Sequence, residues 1–241
     1  MKLSEIYAFL DRLSPFDTQE AWDNSGLLLG NADDEISTVY LSLDIDENLI
    51  EKAQPNSLFI THHPLIFKGL KELGSNTYPR AFIKKMICKN IALISLHTNY
   101  DKSHLNAYFV EEILGFRISF KEGFLAYVDC KLSFDELIAH LKLKLNLKQI
   151  HTSFVRKKEL KRLAICTDSG GDLIPFVKAD CFLSGDFKYH QACEAMANKL
   201  SLIDIKHYES EICFANSLAK HLQNLNLNAI ISVCKNPFQY F

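Results

Sequence analysis

The stretch Leu58-Phe59-Ile60-Thr61-His62-His63-Pro64 carries an apolar run straight into two adjacent imidazoles. Pro64 has no N–H to give to a ladder and cannot continue a central strand, so the histidines fall at a strand's exit. Neighbouring side chains within a strand point to opposite faces, but at a strand end the backbone can turn and aim both rings at one place. Two neutral imidazoles so aimed are candidate metal ligands, although a His-His dipeptide by itself is more often a pair of loop residues.

Two further runs raise that candidate. Ile91 to Leu96 leads into His97-Thr98-Asn99-Tyr100-Asp101, and Leu202 to Ile205 leads into His207-Tyr208-Glu209-Ser210-Glu211. Both place His-x-x-x-carboxylate beyond a predicted strand. The strand ends thus offer His62, His63, His97, Asp101, His207 and Glu211, with Glu209 nearby. Imidazole and carboxylate without thiolate suit zinc, manganese, iron or nickel better than a structural cysteine site. One catalytic ion takes about three protein ligands and an open position, so this many donors can serve two ions. A bridging carboxylate would hold such a pair roughly 3.5–4 Å apart, and the water between them would supply hydroxide near neutral pH.

The elements that position these residues alternate. From Thr38 the pattern reads strand Val39–Leu43, helix Glu47–Ala53, strand Leu58–Ile60, helix Arg80–Lys89, strand Ile91–Leu96 and helix His104–Leu114, stopped by Gly115. Such alternation calls for an α/β sheet with helices packed on it. Ser133-Phe134-Asp135-Glu136 is a capping box opening another helix. The order then repeats: Leu163–Cys166 and Asp168 parallel Val39–Leu43 and Asp44, a helix over Asp172–Lys178 parallels the one after it, and Cys181-Phe182-Leu183-Ser184-Gly185-Asp186 parallels Leu58–His63. A helix over Gln191–Lys199, the strand Leu202–Ile205 and a helix over Phe214–Leu222 follow. The reading is a duplicated supersecondary unit, with a first α/β repeat over residues 1–118 and a second over 119–241. Paired α/β units bind ligands at the carboxyl ends of their strands.

Composition bounds the function classes. With 241 residues the chain is long enough for real cores, and 48% hydrophobic and 23% charged residues are ordinary for a globular protein. A formal charge of -2 gives no global attraction to nucleic acid or membrane. The 7 cysteines form no C-x-x-C pair and suggest reduced thiols rather than a disulfide framework. Met1 to Leu13 has the spacing of an amphipathic helix, not of a signal peptide, and no apolar run reaches the length of a membrane span. A cytoplasmic protein is expected.

At this point the residues carry a resemblance. Trp22-Asp23-Asn24-Ser25-Gly26, Thr61-His62-His63-Pro64, His97-Thr98-Asn99-Tyr100-Asp101, Ser184-Gly185-Asp186 and His207-Tyr208-Glu209-Ser210-Glu211, in this order, resemble the motif series of the GTP cyclohydrolase I type 2 homologue family, the Ngg-interacting-factor-three-like dinuclear metal proteins. The resemblance spans essentially the whole chain. It implies two intertwined, duplicated α/β halves with mixed sheets, a metal site at strand ends between them, two divalent ions per subunit and a ring-shaped homohexamer. Carried onto matching positions, it makes His62 and Asp101 ligands of one ion, His63 and His207 ligands of the other, and Glu211 the bridge. His97 matches a histidine beside the metals and receives a proton-transfer or substrate-contact role. The implied activity is hydrolytic opening of the GTP imidazole ring: a metal-bound hydroxide attacks C8, and an acid such as His97 protonates the departing nitrogen. The chain departs from the family pattern at Asp186, where glutamate is usual, and at Lys102-Ser103-His104, a loop that often contains glycine; both bear on substrate contacts.

Two other readings stand beside it. The metal pair could hydrolyse another modified nucleotide or a phosphoester, or the protein could be a non-enzymatic ring that binds nucleic acid or a protein partner. The second rests on Lys142 to Arg162, where eight basic residues, Lys142, Lys144, Lys148, Arg156, Lys157, Lys158, Lys161 and Arg162, are relieved by Glu159 alone; a solvated face is the commoner meaning of such a run. Trp22 is read as a core anchor rather than a ligand contact, the usual fate of a tryptophan, with Asp23 and Asn24 as residues supporting a site. Ser169-Gly170-Gly171 reads as a turn into a helix rather than a phosphate cradle. The aromatic tail Asn236-Pro237-Phe238-Gln239-Tyr240-Phe241 is expected to pack on the body or on a neighbouring subunit.

Overall fold

The computed structural model describes residues 1–155, 157–223, 225 and 227–239. The chain divides into two compact units, residues 1–100 with 214–241, and residues 101–213. Residues 214–241 fall in the first unit because the last strand of the chain returns to its sheet.

The first unit holds a mixed sheet of β1 (Gly26–Leu29), β2 (Thr38–Ser42), β3 (Ser57–Thr61), β4 (Ala92–Ser95) and β11 (Asn228–Ile231), in the order β1-β4-β3-β2-β11. β11, β2, β3 and β4 run parallel, and β1 is antiparallel to β4. Every residue of β2, β3 and β4 is buried, as befits parallel strands covered on both faces. On one face Tyr40, Phe59 and Leu93 pack with Leu49 and Ile50 of the helix Glu47–Lys52 and with Ile83 and Met86 of the helix Arg80–Cys88. Asp46 caps the first of these helices, its carboxylate accepting from Leu49 N–H at 2.7 Å. The amino-terminal helix Leu3–Leu13 buries Leu3, Ile6 and Leu10, the stripe its spacing predicts. The helix Phe214–Leu222 packs on β2 and β11. Register aligns Ser42 with Thr61 and Thr61 with Ser95, so residues 43–44, 62–63 and 96–97 all leave the sheet at one edge.

The second unit is a mixed sheet of β5 (Phe120–Glu122), β6 (Leu125–Ser133), β7 (His151–Thr152), β8 (Glu159–Ile165), β9 (Cys181–Ser184) and β10 (Ser201–Asp204), in the order β5-β6-β8-β9-β10-β7. β8, β9 and β10 are parallel, and β6 and β7 flank them antiparallel. Tyr127, Ala164, Phe182 and Leu202 pack with Ile174 and with Ala195 of the helix Tyr189–Ala197. The helix Phe134–Leu145 opens on the expected capping box, with Ser133 Oγ accepting from Glu136 N–H at 3.2 Å. In both units three parallel strands follow in chain order, and the third pairs antiparallel with a strand that precedes all three.

Two expectations are corrected. Helical structure begins at Thr98, not at residue 104: Thr98–Tyr100 is α, Asp101–Leu105 is π, Asn106–Tyr108 is α and Phe109–Ile113 is π. Lys102-Ser103-His104 therefore lies in a helical turn rather than a loop, because Asn99, Tyr100 and Leu105 are buried and draw the segment onto the body. π turns of this kind recur at functional sites. Residues 172–178 do not form an α-helix; Gly170–Phe176 is a 3-10 helix containing Pro175, which has no N–H for an α ladder. Phe238 of the aromatic tail is 71% exposed on the single chain. The remaining tail aromatics, Tyr240 and Phe241, lie outside the described residues, as does Arg156 of the basic run. All the cysteines are free thiols, and no helix among the described residues is long and apolar enough to cross a membrane.

Gly185 follows β9 where backbones converge. A Cβ there would stand 2.8 Å from His207 N, 2.9 Å from Lys206 C and 3.0 Å from Asp168 O, all main-chain atoms that cannot swing aside. Gly185→Ala is expected to destabilise the protein by about 1–3 kcal/mol, in the range of overpacking. A thermal melt checks this; an unchanged Tm would show that the turn relaxes at no cost.

Candidate metal centre

Each histidine at the carboxyl edges is held by its Nδ1. In the first unit, fully buried His62 places Nδ1 2.8 Å from the main-chain oxygen of Leu96. His63 Nδ1 lies 2.8 Å from Asp44 Oδ1, and His97 Nδ1 2.8 Å from Asp23 Oδ1. In the second unit His207 Nδ1 lies 2.9 Å from Asp186 Oδ2 and 3.2 Å from Asp168 Oδ1. A carbonyl or carboxylate oxygen only accepts, so in each case Nδ1 carries a proton and Nε2 is the nitrogen left to face the site. Nitrogen atoms of His62, His63 and His97 lie within 4.8 Å of one another.

The motif residues build these tethers. Asp23 accepts from His97 Nδ1, from Thr98 N–H at 3.1 Å and Oγ1 at 2.5 Å, and from Asn24 N–H at 2.7 Å. Burial alone would raise the Asp23 carboxyl, but these donors hold it well below the usual carboxylate range. Ser25 Oγ donates to Asp23 and accepts from His97 N–H. Asn24 Nδ2 donates to Ile66 O at 2.5 Å, Asn99 Nδ2 to Ser14 O at 2.8 Å, and the Tyr100 hydroxyl lies 3.0 Å from Ser217 Oγ.

The second unit contributes acidity. Asp168, in the left-handed region at φ 62°, takes a hydrogen bond on its main-chain oxygen from Gly185 N–H and another from Ser184 Oγ. Asp186, also left-handed at φ 53°, turns its carboxylate onto His207. The helix His207–Glu211 sets its first and last residues on one face, with His207 Nε2 3.0 Å from Glu211 Oε2. Glu211 is fully buried and Asp101 nearly so, and their carboxylate oxygens approach within 4.8 Å.

These residues fit a divalent cation. Two buried carboxylates so close repel unless a proton or cation is shared. Imidazoles tethered at Nδ1 by carboxylate or carbonyl are the usual support of metal-ligating histidine. Thiolate ligation is disfavoured: burial, then the charges of Asp101, Asp168 and Glu211, push the Cys166 thiol far up, and burial and then Glu211 do the same to Cys213.

The structure thus brings His62 and His63 together with His97 in the first unit, and Asp101 and His207 each to Glu211 in the second. Sequence placed Asp44 and Asp168 only as equivalent positions and Asp186 only at the substrate contacts, and missed all three as tethers. The signal was present, since Asp44 and Asp168 occupy equivalent places beyond the first parallel strand of each repeat. Trp22 is corrected: it is 59% exposed and no core anchor, because Asp23 takes the inward position. In the basic run, Lys157 pairs with Asp180 and Arg162 with Asp129, which reduces its positive field.

Fold and site together define an α/β protein with two mixed sheets and buried His, Asp and Glu donors compatible with a metal site. The chain belongs to the Duf34/NIF3 (NGG1p interacting factor 3) family, whose model matches residues 1–237. It is 68% identical over 241 residues to a GTP cyclohydrolase 1 type 2 homolog of Campylobacter jejuni, covering 100% of both chains. It is 41% identical over 240 residues to a GTP cyclohydrolase 1 type 2 of Helicobacter pylori, covering 98% of each. Among solved structures, Staphylococcus aureus hypothetical protein SA1388 superposes with a TM-score of 0.88 at 25% identity, over 100% of this chain and 99% of that one.

Because Asp23 accepts several hydrogen bonds as an anion, Asp23→Asn is expected to cost about 1.5–3 kcal/mol at neutral pH. A carboxyl with a depressed folded pKa contributes stability above its unfolded value of about 3.9, and that contribution is lost as pH falls through the folded value. The deficit of Asp23→Asn should therefore shrink as pH is lowered below about 4. Denaturant titrations at pH 7 and pH 3 check this; a deficit equal at both would assign the loss to shape rather than charge.

Proposed function

We propose that the protein is a divalent-metal-dependent hydrolase acting on a purine nucleotide, by opening of the imidazole ring of GTP or a close relative. The observation that carries this reading is the common tethering of His62, His63, His97 and His207 through Nδ1. The names of the Campylobacter and Helicobacter relatives support the reaction class. In this reading His62, His63, Asp101, His207 and Glu211 would hold the divalent metal. Two divalent ions, when bound, acidify water and stabilise negative charge developing on the substrate.

The chain's own residues do the rest. Asp44, Asp186 and Asp168 orient His63 and His207 and raise their basicity. Asp101 and Glu211 concentrate negative charge where cations are to be held. His97, fixed by Asp23, presents Nε2 to accept or deliver a proton; in ring opening, water adds at C8 and His97 protonates the ring nitrogen that departs. A homohexameric ring in the cytoplasm completes the reading, and light scattering of the purified protein tests the assembly.

The test is metal content per chain, by elemental mass spectrometry, for wild type, His63→Ala and Glu211→Ala, followed by incubation with GTP. About two equivalents in wild type, sharply reduced in both variants, with a formylamino pyrimidine, or formate after a second water hydrolyses that formamide, produced only by loaded enzyme, is the expected result. Release of phosphate or a nucleoside monophosphate instead would favour phosphoester hydrolysis. Retention of metal by both variants would overturn the ligand set.

A further inference from the structure

Two large aromatics stand in solvent beside His97. Trp22 is 59% exposed and Phe67 42% exposed. Their ring centroids are 6.0 Å apart with the planes tilted by 58°, so the two rings form adjoining walls of an open corner; each lies 6.3 Å from the His97 ring, and Phe67 meets that ring edge-on at 87°. Water-exposed tryptophan and phenylalanine side by side lose the benefit of burial, so an apolar surface of this kind signals an occupant.

Both are held rigidly by neighbours that leave their side chains outward. Trp22 adjoins Asp23, whose carboxylate is fixed by His97, Thr98 and Asn24. Phe67 follows Ile66, whose main-chain oxygen accepts from Asn24 Nδ2. Asn24 thus ties the loop bearing Phe67 to the loop bearing Trp22, which sets the distance between the rings. Pre-set aromatic faces bind flat conjugated rings by stacking, whatever the ring's hydrogen-bonding edge, at small entropic cost.

We propose that Trp22 and Phe67 form an open aromatic clamp, a corner of two tilted rings against whose exposed faces the heterocyclic base of a nucleotide stacks beside the His97 imidazole. This rests on the reading of the protein as a nucleotide hydrolase and narrows it: recognition is of the base, and a phosphoester without a flat ring is not a good ligand. It also gives the run Trp22-Asp23-Asn24-Ser25 one purpose, in which Trp22 contacts the base, Asp23 and Ser25 hold His97, and Asn24 spaces the clamp.

Trp22 is the chain's 1 tryptophan, so its fluorescence reports the clamp directly. The metal-loaded full chain is titrated with GTP, ATP and inorganic triphosphate, with fluorescence excited at the red edge and binding followed in parallel by equilibrium dialysis. Saturable quenching by the nucleotides and none by triphosphate is expected. Phe67→Ala should weaken nucleotide binding on the order of tenfold with metal content unchanged, and Trp22→Phe should weaken it less than Trp22→Ala. Nucleotide that binds by dialysis without quenching, or with equal affinity for Phe67→Ala, would overturn the clamp and leave the hydrolase reading standing. Triphosphate binding as tightly as GTP would also overturn it. Quenching by nucleotides in a protein that hydrolyses none of them would retain the clamp and reject the hydrolase.

Discussion

An imidazole can serve a cation with one nitrogen only if the other is spoken for. In this chain His62, His63, His97 and His207 each commit Nδ1 to an oxygen acceptor, and the acceptor comes from the same unit every time. That commitment keeps a proton on Nδ1, stops the ring from rotating and directs Nε2. The surrounding structure is arranged to keep four acceptors in place.

The sheets do this with little sequence. Parallel register brings the ends of β2, β3 and β4 level, so that Asp44, His63 and the Leu96 carbonyl leave one edge together. In the second unit the same arrangement of β8, β9 and β10 delivers Asp168, Asp186 and His207, with Gly185 permitting the backbone approach and two left-handed residues turning the carboxylates inward. Hydrogen bonding offsets the strain of those backbone positions, since Asp168 N–H donates to Ser210 Oγ at 3.1 Å. The cost of burying Asp101 and Glu211 is the strongest physical indication that positive charge belongs beside them.

Much of this was legible in the sequence because period and punctuation agree there. The strands around Leu41, Phe59 and Leu93 are apolar runs of strand length, the capping box at Ser133 opens its helix, and His62, His63 and His207 follow strands as their patterns indicate. What was not legible depends on tertiary contact. The helical start at Thr98 is driven by burial of Asn99 and Tyr100, which local propensity does not register. Trp22 defies the habit of tryptophan because its neighbour Asp23 takes the inward position. In the sequence Asp44 is only a repeat counterpart of Asp168 and Asp186 only a departure from the family pattern; the histidine 2.8 or 2.9 Å from each shows what it holds.

Histidine tautomer state tests the central claim most directly, through long-range proton–nitrogen correlation spectra of the nitrogen-15-labelled protein with and without zinc. The account predicts that His62 and His63 carry the proton on Nδ1 and that zinc shifts their Nε2 resonances while Nδ1 keeps its proton. Protonation at Nε2 in the metal-free protein, or zinc-induced shifts at Nδ1, would contradict it.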